Sequence, residues 1–180
     1  MARIISIVNQ KGGVGKTTTA INLGAYLSEL GKFVLIVDID PQANATSGLG
    51  VDHRNLSQGV YEAILGTARV KDITQPTAHE GMRIAPATTA LAGLNIELVD
   101  MERREHRLRE ALLEIRNDYD FILIDCPPTL GLITLNGLVA GDEILIPVQA
   151  EYFALEGLGQ LLETVQLVKE RIRPEIEVLG

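Results

Sequence analysis

The sequence has few cysteines and few basic residues, and each scarcity excludes a class of protein. Cys126 is the single cysteine among 180 residues, so the chain cannot form an internal disulfide framework or a C-x-x-C pair for a metal or an iron–sulfur cluster. Acidic residues outnumber basic ones by 24 to 16, which gives a formal net charge of −8. That balance argues against a protein that coats DNA by itself, so any DNA-binding surface would have to be local.

Long hydrophobic runs are also missing. No apolar stretch reaches the length of a membrane-spanning helix, and the apolar N-terminal segment stops at Asn9-Gln10-Lys11 without a small-residue cleavage site. We therefore expect neither a membrane anchor nor a secretory signal, and a cytoplasmic location. The length and a hydrophobic content of 46% fit a single domain over residues 1–180 with a sizeable core.

The stretch from Asn9 to Thr19 is typical of a phosphate-binding loop. It reads N-Q-K-G-G-V-G-K-T-T-T, follows the strand-like run 3–8 and precedes a segment of helical composition, 18–30. Three glycines within four positions let the backbone N–H groups point inward, and the helix adds the positive end of its dipole. The candidate phosphate-binding residues are Lys11, Gly12, Gly13, Val14, Gly15, Lys16, Thr17 and Thr18.

Three side chains of this loop have predicted roles. Lys16 is placed to reach the outer phosphates of a nucleotide, and the Thr17 hydroxyl is placed to ligate a Mg²⁺ that bridges the β- and γ-phosphates. Thr18 can donate a hydrogen bond to an inner phosphate. The alternative is a glycine-rich turn with two solvated lysines, and the flanking strand and helix argue against it.

The loop departs from the usual G-x-x-x-x-G-K-[ST] pattern, because Gln10 stands at the first glycine position with Lys11 beside it. In this respect K-G-G-V-G-K-T-T resembles the deviant Walker A loop of the ParA/MinD superfamily of ATPases. The resemblance implies that Lys11 reaches across a nucleotide-sandwich homodimer to phosphates bound by the partner subunit, with Gly12 near the interface. A second cation placed in this way would neutralise charge on the transferring phosphoryl group.

Two acidic residues follow the next predicted strand. The nearly continuous apolar run 33–40 ends in Asp38 and Asp40, and such runs are typical of parallel strands buried on both faces. Two residues apart, these acids are expected on one face at the strand's carboxyl end, where ligands of open α/β sheets bind.

The pattern D-x-D-P-Q-x-N-A-T, which starts at Asp38, resembles switch I of the ParA and Soj partition ATPases. The resemblance implies that Asp40 positions or activates the attacking water and that Asp38 supports the magnesium site. A helix cap or turn acid is the alternative for Asp40.

A third acid, Asp125, ends the apolar run 121–124, as expected of a Walker B carboxylate that holds Mg²⁺ or its water. The continuation D-C-P-P-T-L-G resembles switch II of the same ATPases. The predicted metal ligands are therefore Thr17 and Asp125, and the predicted cofactors are ATP and Mg²⁺. The predicted catalytic residues are Lys11, Lys16 and Asp40.

Apolar residues keep helical spacing between Leu98 and Ile115, which predicts an amphipathic helix with a charged outer face. Arginines on that face alternate with glutamates, and this favours a solvated surface with local ion pairs over a nucleic-acid surface. The residues concerned are Arg103, Arg104, Arg107 and Arg109 with Glu102, Glu105, Glu110 and Glu114.

Strands alternate with helices along the whole chain, which predicts an α/β fold of the P-loop NTPase type: a mostly parallel sheet with helices on both faces. Proteins with the same motifs continue well past residue 180. By that resemblance the chain is a C-terminally truncated form of the usual domain, and the missing part would hold a sheet strand, part of the adenine pocket and the DNA-binding arginines.

The resemblance implies an ATPase that dimerises with ATP, binds DNA non-specifically and drives chromosome or plasmid partitioning. A ParB/Spo0J-type partner would stimulate hydrolysis, and the protein would be cytoplasmic and associated with the nucleoid, with no membrane partner. Two alternatives stay open. One is a MinD-like ATPase that cycles on membranes, and the other is a small-molecule kinase or ligase on the same fold.

Overall fold

The computed structural model describes residues 1–150 and 154–180. For residues 154–156 only the backbone is described. Seven strands form one sheet: β1 (Arg3–Ile7), β2 (Val34–Asp38), β3 (Gln75–Pro76), β4 (Met82–Ala85), β5 (Phe121–Asp125), β6 (Glu143–Leu145) and β7 (Glu177–Val178). The α-helices are α1 (Lys16–Glu29), α2 (Asn44–Gly48), α3 (Val60–Leu65), α4 (Val70–Ile73), α5 (Leu94–Glu97), α6 (Arg107–Leu113), α7 (Leu132–Ala140) and α8 (Ala154–Arg171). Two 3₁₀ turns, Thr89–Gly93 and Leu98–Asp100, flank α5.

The strand order is β3-β4-β2-β5-β1-β6-β7, and every neighbouring pair is parallel except β3 with β4. This confirms the mostly parallel α/β sheet predicted from the sequence. In the centre, Asp125 is in register with Ile7 on one side and with Asp38 on the other. The carboxyl ends of β1, β5 and β2 therefore meet at one edge of the sheet, which is where ligands of such folds bind.

Both faces of the sheet are covered, because alternate residues of the central strands enter different hydrophobic clusters. One cluster joins Ile4, Leu35 and Ile122 to apolar residues of α3, α6, α7 and α8. The other joins Ile5, Ile36 and Leu123 to Ala20 and to the partly buried Ile21, Leu23 and Leu27 of α1. The continuous apolar runs in the sequence thus reflect strands that are buried on two sides.

Two helices approach the sheet closely enough to require glycine. A Cβ at Gly24 in α1 would lie 2.8 Å from Cδ1 of Ile36, and one at Gly137 in α7 would lie 2.7 Å from Sγ of Cys126. The missing side chains thus let α1 and α7 pack closely on opposite faces of the sheet.

The predicted continuous helix between Leu98 and Ile115 is wrong. The 3₁₀ turn ends at Asp100, Arg103 takes a left-handed conformation with φ of 53°, and the α-helix begins only at Arg107. The reason is a tertiary contact from α7. Asn136 accepts a hydrogen bond from the Leu108 N–H at 3.0 Å and donates one to the Arg104 carbonyl at 2.8 Å, which satisfies the backbone where the helix would otherwise continue.

The charged residues of this region follow the sequence prediction in part. Arg103 pairs with Glu110, and Arg104 pairs with Glu105, as expected for local ion pairs. Arg107, however, donates to the carbonyls of Ile64 and Leu65 at the end of α3 and is not simply solvated. Interleaved charge could not reveal this contact, because its acceptors are backbone atoms about 40 positions away in the chain.

Candidate nucleotide-binding site

The glycine loop lies between the end of β1 and the start of α1. Gly13 and Gly15 have φ values of 75° and 90°, a left-handed region that favours glycine. Gly15 precedes the first helical residue, and its carbonyl accepts the Thr19 N–H at 2.7 Å. The first-turn N–H groups of α1 therefore point back toward the loop and are available to an anion.

Two side chains tie the loop to the chain beyond β6. Asn9 accepts a hydrogen bond from the Lys11 N–H at 3.0 Å and donates one to the Pro147 carbonyl at 2.8 Å. Gln149 donates to the Gly13 carbonyl at 3.1 Å. Sequence reasoning missed both residues as parts of the site, because their partners lie about 136 to 138 positions away.

Lys16 is 7% exposed, and its ammonium donates to the Lys11 carbonyl at 3.1 Å, across the mouth of the loop. Burial lowers the pKa of Lys16 below its usual value, and the carboxylates of Asp125 and Asp40 offset part of that effect. A buried cation with one carbonyl partner is suited to exchange that partner for phosphate oxygens.

Asp125 ends β5 and is fully buried. Within the described part of the chain neither carboxylate oxygen makes a hydrogen bond of normal geometry. Burial raises the pKa of Asp125 to about 7, while the nearby Thr17 hydroxyl lowers it. A buried carboxylate without hydrogen-bond partners is expensive unless a proton or a cation satisfies it.

A hydroxyl and a carboxylate supply the hard oxygen atoms that Mg²⁺ prefers. The residues present therefore fit the magnesium site predicted at Thr17 and Asp125. Among the described residues no three His, Cys, Asp or Glu side chains group together as metal ligands. A cation held here would complete its shell with water and with oxygens of a bound nucleotide, as Mg²⁺ commonly does.

Asp38 and Asp40 have different surroundings, and the prediction that they share a strand face is wrong because β2 ends at Asp38. Asp38 is fully buried and accepts hydrogen bonds from the Thr46 N–H at 2.8 Å and the Asp40 N–H at 3.1 Å. Burial raises the pKa of Asp38 to about 6. Asp40 lies in the loop beyond the strand, is 7% exposed and accepts the Gln42 N–H at 2.9 Å.

A cavity of about 460 Å³ lies in front of these groups, and most of the predicted phosphate-binding residues line it together with Asp40. Its lining residues are Gly12, Gly13, Gly15, Lys16, Thr17, Thr18, Asp40, Gln42, Asn44 and Pro128. Val14 is buried. Sequence reasoning did not assign Gln42, Asn44 or Pro128 to the site, although all three lie within the motifs that resemble switch I and switch II.

A strand, a left-handed glycine loop and a helix, with a buried carboxylate on the neighbouring parallel strand, define a P-loop nucleotide-binding protein. Family comparison narrows this class. The family model of an AAA domain matches residues 2–178. The chain therefore belongs to this family, and its curated relatives place it among the P-loop ATPases related to ParA and Soj.

Two curated relatives show this relationship. Over 180 residues the chain is 54% identical to the sporulation initiation inhibitor protein Soj of Bacillus subtilis, and the match covers all of this chain and 71% of the relative. It is 51% identical to the chromosome partitioning protein ParA of Myxococcus xanthus, again over the whole chain, and covers 64% of that protein. The chain thus spans about two thirds of the length of these relatives.

A solved structure has nearly the same fold. Cobyrinic acid a,c-diamide synthase from Mycobacterium smegmatis, determined with bound ADP and magnesium, superposes with a TM-score of 0.97 at 42% identity. The match covers 100% of this chain and 73% of that one.

Within the described residues, no helix has the length and apolar character needed to cross a bilayer.

Proposed function

We propose that the chain binds ATP with Mg²⁺ at the cavity in front of the glycine loop and hydrolyses the terminal phosphate. The observation that carries this proposal is the buried carboxylate of Asp125, which has no hydrogen bond of normal geometry among the described residues and lies beside Lys16 and Thr17. Thr17 and Asp125 would hold Mg²⁺, which when bound neutralises charge on the β- and γ-phosphates. Support also comes from the solved relative with bound ADP and magnesium.

The other residues around the cavity bind the phosphates, neutralise the transferring group and orient the attacking water. The N–H groups of residues 13–18 bind phosphate oxygens, and Lys16 leaves the Lys11 carbonyl to neutralise the transferring group. Asp40 orients the attacking water. Its own position is fixed because its N–H donates to Asp38 and its Oδ1 accepts from Gln42.

Dimerisation completes the site in this proposal. Lys11 of one subunit reaches the phosphates of the other, where it stabilises charge that develops in the transition state. Gly12 supports such an arrangement, because it is exposed and a Cβ built on it has no neighbour within 4 Å in the part of the chain that the structure describes. A side chain there would therefore be tolerated in the monomer and would project toward an approaching partner.

The biological task proposed is chromosome or plasmid partitioning. The ATP-bound dimer binds DNA non-specifically, and a ParB/Spo0J-type partner stimulates hydrolysis and releases it. The relatives named Soj and ParA, each at least half identical over this chain, support this task. These relatives are longer than this chain, and the proposal assigns no DNA surface to the described residues.

Sedimentation of the Asp40→Ala variant tests the proposal, in ATP and in ADP, with and without non-specific DNA at a stated salt concentration. We expect an ATP-dependent dimer that co-sediments with DNA, because binding is retained and hydrolysis is lost. Lys16→Ala is the matched control and should remain monomeric in ATP. A dimer that ignores DNA but binds vesicles of anionic lipid would favour the MinD-like alternative.

A small-molecule ligase is the second candidate, and the similarity to the cobyrinic acid a,c-diamide synthase favours it. In a ligase, phosphate is transferred to a bound acceptor and Lys11 acts within its own subunit. ATP turnover should then require cobyrinic acid and a nitrogen donor and should not respond to DNA. ATP turnover without an acceptor would exclude this candidate.

A further inference from the structure

We propose that Asn9 is a positioning residue that fixes the main chain of Lys11, and through it the direction in which the Lys11 side chain leaves the loop. This inference rests on the catalytic role proposed for Lys11 but not on the subunit in which Lys11 acts. It assigns a function to a buried polar side chain that lies outside the pattern of phosphate-binding residues.

Both ends of the Asn9 amide are used. Asn9 is 4% exposed, its Oδ1 accepts the Lys11 N–H at 3.0 Å, and its Nδ2 donates to the Pro147 carbonyl at 2.8 Å. A buried amide whose donor and acceptor are both paired has one preferred orientation, because turning it over would place oxygen against oxygen and nitrogen against N–H. The Lys11 N–H is therefore directed by a fixed acceptor.

The anchor on the far side of Asn9 lies directly after strand β6. The Val8 N–H donates to the Leu145 carbonyl at 3.0 Å, which continues the pairing of β1 with β6 up to the residue before Asn9. Pro147 follows Leu145 by two residues. Asn9 thus ties the start of the glycine loop to the segment directly after β6, close to the sheet, and this support can hold a catalytic group in place more precisely than the loop alone.

Lys11 is held from its other side by Lys16, whose ammonium donates to the Lys11 carbonyl at 3.1 Å. In the proposed mechanism Lys16 gives up this carbonyl for phosphate oxygens. The hydrogen bond from the Lys11 N–H to Asn9 does not compete with phosphate for Lys16 and stays in place. Asn9 therefore holds the Lys11 backbone at the stage when the Lys11 ammonium is needed.

A double-mutant cycle tests this inference on the full chain. We would measure kcat and KM for ATP hydrolysis in the parent, Asn9→Ala, Lys11→Ala and the double variant, with radiolabelled ATP so that very slow rates can be measured. A misdirected catalytic group costs about tenfold to a hundredfold in rate, so Asn9→Ala should lower kcat by that amount and leave KM nearly unchanged. The double variant should be no slower than Lys11→Ala, because Asn9 acts through Lys11.

Two further variants separate positioning from folding. Asn9→Ser keeps an oxygen that can accept the N–H two residues onward, so it should recover most of the lost kcat. If Asn9→Ala does not fold, Asn9→Ser replaces it in the double-mutant cycle. Asn117→Ala makes the same change at an exposed site in the loop before β5 and should have the parent's kcat. The inference would be overturned if the reductions in kcat of Asn9→Ala and Lys11→Ala multiply in the double variant. A raised KM with unchanged kcat in Asn9→Ala would also overturn it.

Failure of the proposed function would look different. Sedimentation of the parent in ATP reports whether Lys11 has a partner subunit to act on. If the parent stays monomeric while the cycle is non-additive, Lys11 acts within its own subunit and the assignment of Asn9 stands. If the parent dimerises and the cycle is additive, the dimer stands and the assignment of Asn9 is wrong.

Discussion

Thr46 donates its hydroxyl to Oδ2 of Asp38 at 2.7 Å, and its backbone N–H donates to the same oxygen at 2.8 Å. Thr46 Oγ1 also accepts the Ala87 N–H at 2.9 Å. One fully buried hydroxyl thus joins the end of β2, the helix α2 and the chain after β4. Because Asp38 also accepts the Asp40 N–H, Thr46 supports the loop that carries the proposed water-orienting carboxylate.

We expect Thr46→Val to lower the free energy of unfolding by about 1–3 kcal/mol, because it leaves the Ala87 N–H and one lone pair of Asp38 without a partner in the interior. Thr46→Ser keeps the hydroxyl and should lose much less. Chemical denaturation measures both values. Thr164→Val on α8, where the hydroxyl bonds one exposed helical carbonyl, is the matched control. Equal losses at positions 46 and 164 would contradict the role given to Thr46.

The raised pKa of Asp125 predicts a pH-dependent stability in the absence of metal. Its folded-state pKa of about 7 lies above the ordinary value of 3.8, so the fold favours the protonated carboxyl. That contribution is complete below the ordinary value and is lost as the pH rises through about 7. Asp125→Asn cannot ionise, so the metal-free variant should gain stability relative to the parent at pH 8 and gain less at pH 5.

Denaturation of the parent and Asp125→Asn at the two pH values, with a chelator present, measures this difference. The same variant should gain no thermal stability from Mg²⁺ with ATP, whereas the parent should gain more at pH 8 than at pH 6. A variant that is stabilised by Mg²⁺ to the same degree as the parent would remove Asp125 from the metal site.

Gly12 and Gly13 are adjacent but should respond differently to valine. Gly13 has a φ of 75°, which a β-branched residue adopts only with strain, whereas Gly12 has no such restriction, and no described residue lies within 4 Å of a Cβ built on it. Gly13→Val should therefore cost about 1–3 kcal/mol of stability. Gly12→Val should melt with the parent and bind ATP but form no dimer. Sedimentation in ATP and thermal melting of both variants separate these outcomes.

Asp142 joins three parts of the chain at the edge of the sheet opposite to the glycine loop. It accepts hydrogen bonds from Arg116 at 2.5 Å, from Arg173 at 2.9 Å and from the Ile4 N–H at 3.1 Å. Arg173 is 6% exposed, so removing the carboxylate leaves this buried cation with only the exposed Glu175 as a counter-charge among the described residues. We expect Asp142→Ala to cost about 3 kcal/mol of unfolding free energy.

Glu143→Ala is the matched control for Asp142→Ala, since Glu143 pairs only with the exposed Arg3 across the edge of the sheet among the described residues. Such pairs contribute little in water, so its denaturation midpoint should match that of the parent. A comparable loss of unfolding free energy in Asp142→Ala and Glu143→Ala would mean that the burial of Arg173 is not the reason for the cost of removing Asp142.

Much of the site could be predicted from the sequence because its determinants are local. The positions after β1, β2 and β5 are predictable because parallel strands bring their carboxyl ends to one edge. The glycine run predicted a tightly curled loop, and in the structure Gly13 and Gly15 of that run have the left-handed backbone that glycine permits. The roles of Lys11, Lys16 and Asp40 in catalysis, and of Thr17 and Asp125 as metal ligands, remain predictions, because the position of a side chain does not by itself show which group reacts.

Only the tertiary structure decided how these local pieces are held. Asn136 bonds the backbone before and at the start of α6, where a continuous helix over residues 98–115 is interrupted, and Asn9 ties the glycine loop to Pro147 across 138 positions of chain. Helix α7 packs closely against Cys126 because Gly137 has no side chain, a contact that residues 11 positions apart make only once the helix has packed on the sheet. Periodicity and composition report which face of a segment is buried, whereas a buried amide finds its partners only after distant segments have packed together.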